Sequence, residues 1–402
     1  MLTRVVALLA FLTLTASSPP AWAQKPIRIG VPAAIQVQVG RDTQDAAQMA
    51  VDEINAKGGL LGRKLETVVA DETEQPEAGV NAIKKLTADE KVDVLVGGYT
   101  SGVTLAQLPH ISAAKTIYIG IGAASPAITA KVKQDYADYK YIFRVNPLNS
   151  KWLAAALVDY IVSSVAKEQG FKKVAIVGES AKWVQDLVPF LKKGATDGGV
   201  EITLTELFDV QTSDFSPIFS KARSSGAQYL VPILSHASSD VFVKQWFDAR
   251  VPLPIGGIDV KSQDTDFYNR VGGKSLSETV MMGFLRAPIT PATIPFWDAF
   301  VNRFNRNPVY TAGGAYDAIK LYAEAVTRAK SAQADAVIKE LEKTDFVGTG
   351  GRIVFDENHD VRYGAGYVTP IFVQWQDGAK RVIVWPKDKA TGPAVLPAWV
   401  KK

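Results

Sequence analysis

The feature that most constrains this chain is a rhythm: an apolar run, then an amphipathic one, repeated. IRIGVPA (27–33), LETVVAD (65–71), VDVLVGG (92–98) and TIYIGIG (116–122) are apolar and rich in β-branched residues, as strands are. Between them, the segment ending INAKGG sets Ala47, Val51 and Ile54 on one helical face and stops at Gly58-Gly59. The segment from Pro76 does the same with Val80, Ile83 and Leu86. Strands apolar on both faces, alternating with helices, imply a parallel sheet covered on each side: a doubly wound α/β architecture.

The pattern pauses around FRVNPLNS and restarts with a long helix expected over Lys151 to Ala166. KVAIVGES, EITLTELF, QYLVPIL and PIGGID are the strands of this second unit, with helices from Trp183, about Phe215 and about Ser238. Two doubly wound units without a proline- or glycine/serine-rich linker predict two hinged lobes. The tail differs. Helices are expected over about 291–305, 312–329 and 335–343, then two hairpins, GRIVFDENHDVRYG and YVTPIFVQWQDGAKRVIVW, turning at Asp356 to His359 and at Gln376 to Gly378. Open parallel sheets bind ligands beyond the carboxyl ends of their strands, so the cleft between lobes is the expected site.

The first residues address the compartment. Arg4, the run VVALLAFLTL and the ending Ala21-Trp22-Ala23 have the three parts of a cleavable secretory signal, residues 1–23, which predicts a periplasmic protein. The sequence contains no cysteine, hence no lipid-anchoring thiol and no disulfide. The formal net charge of +4 comes from scattered lysines and arginines, which argues against a nucleic-acid partner. No other run reaches spanning length, so no membrane insertion is expected.

Catalytic motifs fail one after another. The histidines, His110, His236 and His359, stand in unrelated segments without metal-ligand spacing. There is no G-x-S-x-G, no phosphate loop, and no G-x-G-x-x-G after the first strand. The chain is expected to be no enzyme and to carry no metal or cofactor.

A binding corner does stand out. VLVGGYTSG runs from a strand through glycines and hydroxyls into a helix, leaving N–H groups at a helix start, where an anion is favoured. A carboxylate needs only such donors and a hydroxyl; Tyr99, Thr100 and Ser101 form the corner, and Ser101 serves equally well as a simple helix cap. GIGAASPAIT, with Gly122, Ala124 and Ser125, is a second corner of this type. In the second unit Trp183 stands at the corner GESAKW, Ser235-His236 ends one strand and Asp259 another. An indole there can wall an apolar ligand and a carboxylate can take an ammonium. The plainer alternatives are a tryptophan packing its own helix and a solvated aspartate.

With those residues in view, the chain resembles the periplasmic leucine/isoleucine/valine-binding protein family, the solute receptors of branched-chain-type ABC importers. The ordered set carries the resemblance: INAKGGLLGRKLE with VVADETEQPEAGVNAIKKL, VLVGGYTSGVT, GAASPAIT with FRVNP, KVAIVGES, AYDAIKLYAEAV, and GRIVFDENHDVRYG before VQWQDGAKRVIVWP. It implies the type I periplasmic binding fold: two lobes, residues 24–145 plus 284–350 and residues 146–283 plus 351–402, joined by three crossovers and closing by a hinge. It also implies partners, an inner-membrane ABC permease with its ATPase subunits. Carried over residue by residue, the family's carboxylate-gripping serine matches Ser101 and its backbone site matches Gly122. Its threonine matches Ala124, so that hydroxyl is lost, with Ser125 adjacent. Its tyrosines match Trp183 and Ser235, the latter beside His236; its ammonium-pairing acid matches Asp259; an aromatic residue matches Val39. The ligand this implies is a neutral branched-chain or aromatic amino acid. An aromatic carboxylate, an amide or urea in the same role, or a periplasmic sensor, are the alternatives.

Overall fold

The computed structural model describes residues 25–236 and 238–401; the signal-peptide reading of residues 1–23 lies outside them. The first unit runs β1 (Ile27–Ala33), α1 (Gln38–Ala56), β2 (Leu65–Asp71), α2 (Pro76–Lys84), β3 (Val94–Gly97), α3 (Ser101–Ala113), β4 (Ile117–Gly120), α4 (Pro126–Gln134), α5 (Tyr136–Tyr139) and β5 (Ile142–Arg144). Its strands form one five-stranded parallel sheet in the order β2-β1-β3-β4-β5. The alternation dictates this: each helix carries one apolar stripe that only a sheet face can cover. Ala46, Ala50, Val51 and Ile54 of α1 are buried on one face, and Ile83, Leu108, Ile111 and Ile128 of α2, α3 and α4 on the other.

The second unit repeats the plan with α6 (Ser150–Tyr160), β6 (Lys173–Glu179), α7 (Lys182–Asp197), β7 (Glu201–Phe208), α8 (Ser216–Ser224), β8 (Tyr229–Leu234), α9 (Ser238–Asp248), β9 (Gly256–Asp259), α10 (Phe267–Arg270) and β10 (Thr279–Met282). The parallel strands stand in the order β7-β6-β8-β9-β10, which is the order of the first sheet again. Both sheets therefore reverse winding between their first and third strands. That switch point is where a crevice opens beyond the strand ends.

The tail serves both units. Helices α11 (Thr293–Phe304), α12 (Tyr310–Ala329) and α13 (Ala334–Leu341) join the core of the first sheet. Thr311 of α12 donates its hydroxyl to the Val39 carbonyl of α1 at 2.7 Å. The short pair β11 (Asp345–Val347) and β12 (Arg352–Val354) follows, and β13 (Ile371–Gln376) and β14 (Lys380–Trp385) add two antiparallel strands to the second sheet. Among the described residues no helix is long and apolar enough to cross a membrane.

Several details differ from the sequence reading. The strands β5 and β10 were not anticipated: at three and four residues they are too short to show a period. The last hairpin turns where expected, at Asp377–Ala379. The one before it also turns where expected: the His359 N–H donates to the Asp356 carbonyl, the Asp356 N–H to the Asp360 carbonyl at 2.8 Å and the Arg362 N–H to the Val354 carbonyl at 3.0 Å, around the bridge between Phe355 and Val361. Arg352–Val354 additionally pairs backward with Asp345–Val347. That turn is held to the free edge of the first sheet. The Arg144 N–H donates to the His359 carbonyl at 3.0 Å, and the His359 ring stacks on Phe143 at 4.0 Å. The sequence places everything after 350 in the second lobe, whereas Phe355 and Val361 join the core of the first sheet.

Candidate ligand site between the two sheets

The site begins with backbone geometry. Gly98 has φ +85°, and a Cβ there would lie 2.0 Å from the Tyr118 hydroxyl, so only glycine makes this turn. A Cβ on Gly122 would lie 2.2 Å from the Gly98 carbonyl oxygen, so the two corners touch through bare backbone. Thr100, extended, occupies the cap position of α3 without a side-chain capping bond. The first N–H groups of α3 therefore face no acceptor of their own helix.

Ser101 is buried, and it is not its helix's cap. Its Oγ accepts the N–H groups of Ala124 at 3.2 Å and Ser125 at 3.0 Å, stitching the first corner to the second. With its lone pairs so engaged, the hydroxyl proton is free for an anion, and two donors on the oxygen make it a stronger donor.

The second sheet contributes a polar cluster. Glu179, the last residue of β6, is fully buried and accepts from five donors. These are the N–H and Oγ of Ser235 (2.8 and 2.9 Å), the N–H and Nδ1 of His236 (2.9 and 2.7 Å), and the Ser238 Oγ (2.9 Å). Burial pushes the Glu179 carboxyl up, but the His236 hydrogen bond and charge outweigh it and hold it below its usual range. His236 shows the converse: burial lowers it, while Glu179 more than restores it and leaves the imidazole raised. Trp183, in the first turn of α7, donates Nε1–H to the Ser235 Oγ at 3.2 Å.

Hydrogen bonds across the cleft bring the two sheets together. The Tyr99 hydroxyl donates to the Ser235 carbonyl at 3.1 Å and the Ser125 hydroxyl to Asp186 at 2.5 Å. Gln38 at the start of α1 exchanges two bonds with Thr265, at 3.2 and 3.1 Å. Between the sheets lies a cavity of about 230 Å³.

Of the residues singled out from sequence, Tyr99, Thr100, Ser101, Gly122, Ala124, Trp183, Ser235 and His236 line this cavity. Ser125 does not; its hydroxyl goes to Asp186. Val39 is buried in α1 away from it. Asp259 is also outside the lining and is neither solvated nor free. Its Oδ2 accepts from the Ser239 hydroxyl at 2.5 Å and its Oδ1 from the N–H groups of Lys261 and Ser262 at 3.0 and 3.2 Å. Burial pushes its carboxyl up to about 7, beside a second buried acid, Glu278. Among the described residues no aspartate or glutamate lines the cavity, whose ionisable side chains are Lys182, His236 and the phenols of Tyr99 and Tyr310. The remaining wall is apolar: Leu148, Leu153, Ile258, Val260 and Met281 among others.

Sequence reasoning missed Lys182, Gln263 and Tyr310 as lining residues, and the role of Glu179. Lys182 and Glu179 lie within the quoted corner GESAKW and were visible there; Gln263 and Tyr310 carry no local signal. Among the described residues no group of acids and histidines is arranged to hold a metal ion.

The sequence profile of a family described as periplasmic binding protein matches residues 26–379. This chain belongs to that family. A relative named Leu/Ile/Val-binding protein homolog 7, from Brucella abortus, is 23% identical over 373 residues, covering 89% of this chain and 90% of its own. Among solved structures, the branched-chain amino acid transporter substrate-binding protein of Streptococcus pneumoniae in complex with isoleucine superposes with a TM-score of 0.77. It is 22% identical, covering 92% of this chain and 100% of its own. A solute-binding protein of an ABC transporter from Rhodopseudomonas palustris, in complex with 3,4-dihydroxybenzoic acid, reaches 0.75 at 21% identity, covering 89% and 96%. The periplasmic binding protein fold is thus the fold of this chain. Its neighbours hold an amino acid in one case and an aromatic acid in the other.

Proposed function

We propose that the chain is the solute receptor of an ABC importer, secreted to the periplasm by residues 1–23, and that its ligand is a small apolar or aromatic monocarboxylate without an ammonium group. The observation that carries the ligand class is the electrostatics of the cavity wall. Donors converge on its first-sheet side, where the start of α3 and Ser101 suit a carboxylate. Among the described residues no carboxylate lines any part of it to receive an ammonium, and Asp259, matched by resemblance to that role, has both oxygens engaged. An unpaired buried ammonium is disfavoured by several kcal/mol.

Capture is a two-lobe event in this reading. The first sheet with α11–α13 forms one lobe and the second sheet with β13 and β14 the other. The crossovers at about 145/146 and 283/284 and the return after 350 serve as the hinge. Asn146, Gly283 and Val368, from those three strands of chain, line the cavity, so ligand contact and hinge angle are coupled directly. Docking of the closed form on a permease with its ATPase subunits follows from the same role.

The names of the relatives favour a second reading, a branched-chain or aromatic amino acid, with Asp259 freed to meet the ammonium. A thermal-shift screen of refolded, ligand-stripped protein separates the two. Ligand at one hundred times its Kd adds about 2.7 kcal/mol of stability, which moves the midpoint by a few degrees. A rise with benzoates but not with leucine, isoleucine, valine or phenylalanine supports the carboxylate reading. A rise with those amino acids alone overturns it, and a rise with acetamide or urea alone overturns both.

A further inference from the structure

On the second-sheet side of the cavity, two polar side chains have unfilled hydrogen-bonding capacity. Gln263 is 8% exposed, lines the cavity, and has a buried Oε1 with no hydrogen-bond partner among the described residues. His236 lines the same cavity, and its ring is fixed by the 2.7 Å contact of Nδ1 with Glu179. A carboxylate can only accept, so Nδ1 carries a proton. Nε2 is then the one ring nitrogen available to a ligand, and it has no partner among the described residues. A buried amide acceptor without a donor is a defect unless something fills it.

These groups belong to the opposite sheet from the carboxylate grip. Ser101 and the start of α3 belong to the first sheet's corner, whereas His236 follows β8 and Gln263 follows β9 in the second sheet. The apolar body of a ligand would span the distance between them, past Trp183 and Met281. Glu74 and Lys261 also act on His236 electrostatically, with opposite signs; neither lines the cavity.

We infer that the cavity has a second polar subsite, formed by His236 and Gln263, and that the natural ligand is a hydroxylated acid whose hydroxyl lies at the end remote from its carboxylate. A hydroxyl both donates and accepts. Paired with the buried Glu179 carboxylate, the His236 ring is held as the imidazolium, so Nε2 carries a proton too. The ligand hydroxyl accepts from Nε2 and gives its own proton to the Gln263 Oε1, which neither a bare ring nor a methyl group can do. Glu179 is the positioning residue of this subsite, since it decides which ring nitrogen is left for the ligand. The inference rests on the carboxylate reading of the same cavity.

The test is calorimetric, with 4-hydroxybenzoate and the near-isosteric 4-methylbenzoate as probes on the wild-type protein, His236→Phe and Gln263→Met. The wild type should prefer the hydroxyl compound by roughly ten-fold or more, because the methyl leaves buried polar groups unpaired. Each variant should lose most of that preference by weakening the hydroxyl compound while still binding the methyl compound. That pattern is not the one a general loss of fold would give, because unfolding would weaken both probes together. Equal affinities of the two probes for the wild type overturn the second subsite and leave the carboxylate reading standing. Failure of both probes to bind overturns the carboxylate reading and this inference with it.

Discussion

Ser101 shows how much one side chain can carry. Its hydroxyl is the acceptor for two N–H groups of the neighbouring corner and has its own proton left over. Ser101→Ala should weaken benzoate binding by about ten- to one-hundred-fold, since a hydrogen bond to a charged group contributes about 1.5–3 kcal/mol. Titration calorimetry reads this directly, and an unchanged Kd would remove Ser101 from the grip. Asp259 predicts the opposite. Asp259→Asn keeps an acceptor for the Lys261 and Ser262 N–H groups and leaves the cavity wall untouched, so the Kd should stay within about two-fold. A large loss of affinity would return Asp259 to the site. The positions of these two residues were legible in the sequence, because both stand where a strand gives way to a helix. Their hydrogen-bond partners were not, because those come from the next corner and from the next helix.

At the scale of the element, the strand-to-helix corner is the working unit, and it repeats. Glycines at 98 and 122 let two neighbouring corners approach until backbone meets backbone. Gly98→Ala combines a left-handed φ with a collision against Tyr118. It should lower stability by about 1–3 kcal/mol, seen as a fall in Tm, and weaken benzoate binding, because the start of α3 must shift. An alanine variant with wild-type Tm and affinity would show that the corner is less constrained than drawn here. The missed strands belong to this scale. β5 and β10 are strands because a neighbour's edge offers them hydrogen bonds, and nothing within three or four residues announces that.

For the whole molecule, the proposed two-lobe capture makes the cross-cleft contacts the terms that set how much of the population is closed. Gln38 does not line the cavity, yet it holds Thr265 of the opposite unit. Gln38→Ala should weaken apparent affinity several-fold through the closed fraction alone. Small-angle scattering should show the variant more expanded than wild type at the same sub-saturating ligand concentration. Unchanged affinity would mean the latch contributes nothing. Burial also gives the protein a pH signature. It pushes Glu72, Asp259 and Asp317 up to about 7 and Asp264 to about 6, with Glu278 also raised. A carboxyl raised on folding binds its proton more tightly in the folded state. Its contribution is therefore full below the ordinary carboxylate range and is lost as pH rises toward 7. His236, also raised, acts in the same direction, while buried His359 is lowered and acts against it. Tm should be higher near pH 5.5 than near pH 8; a higher Tm at pH 8 would show that these acids are not buried as described.

The alternation of apolar strands and amphipathic helices determined by itself that this chain builds two sheets with parallel cores and helices on both faces. Such a pattern has few other ways to hide its apolar surface. The glycine-hydroxyl corners likewise placed Ser101, Gly122 and the start of α3 at the cavity wall, since a helix start after a strand end is a local arrangement. What only the tertiary structure decided is everything that depends on two distant segments meeting. Asp259 is tied to Ser239 rather than to the cavity, Ser125 to Asp186, and His236 to Glu179. Gln263, with no motif around it, becomes a wall of the site. Hydrogen-bond partners in a doubly wound fold come from neighbouring strands that lie tens of residues apart, so their identity is a property of the packed sheet.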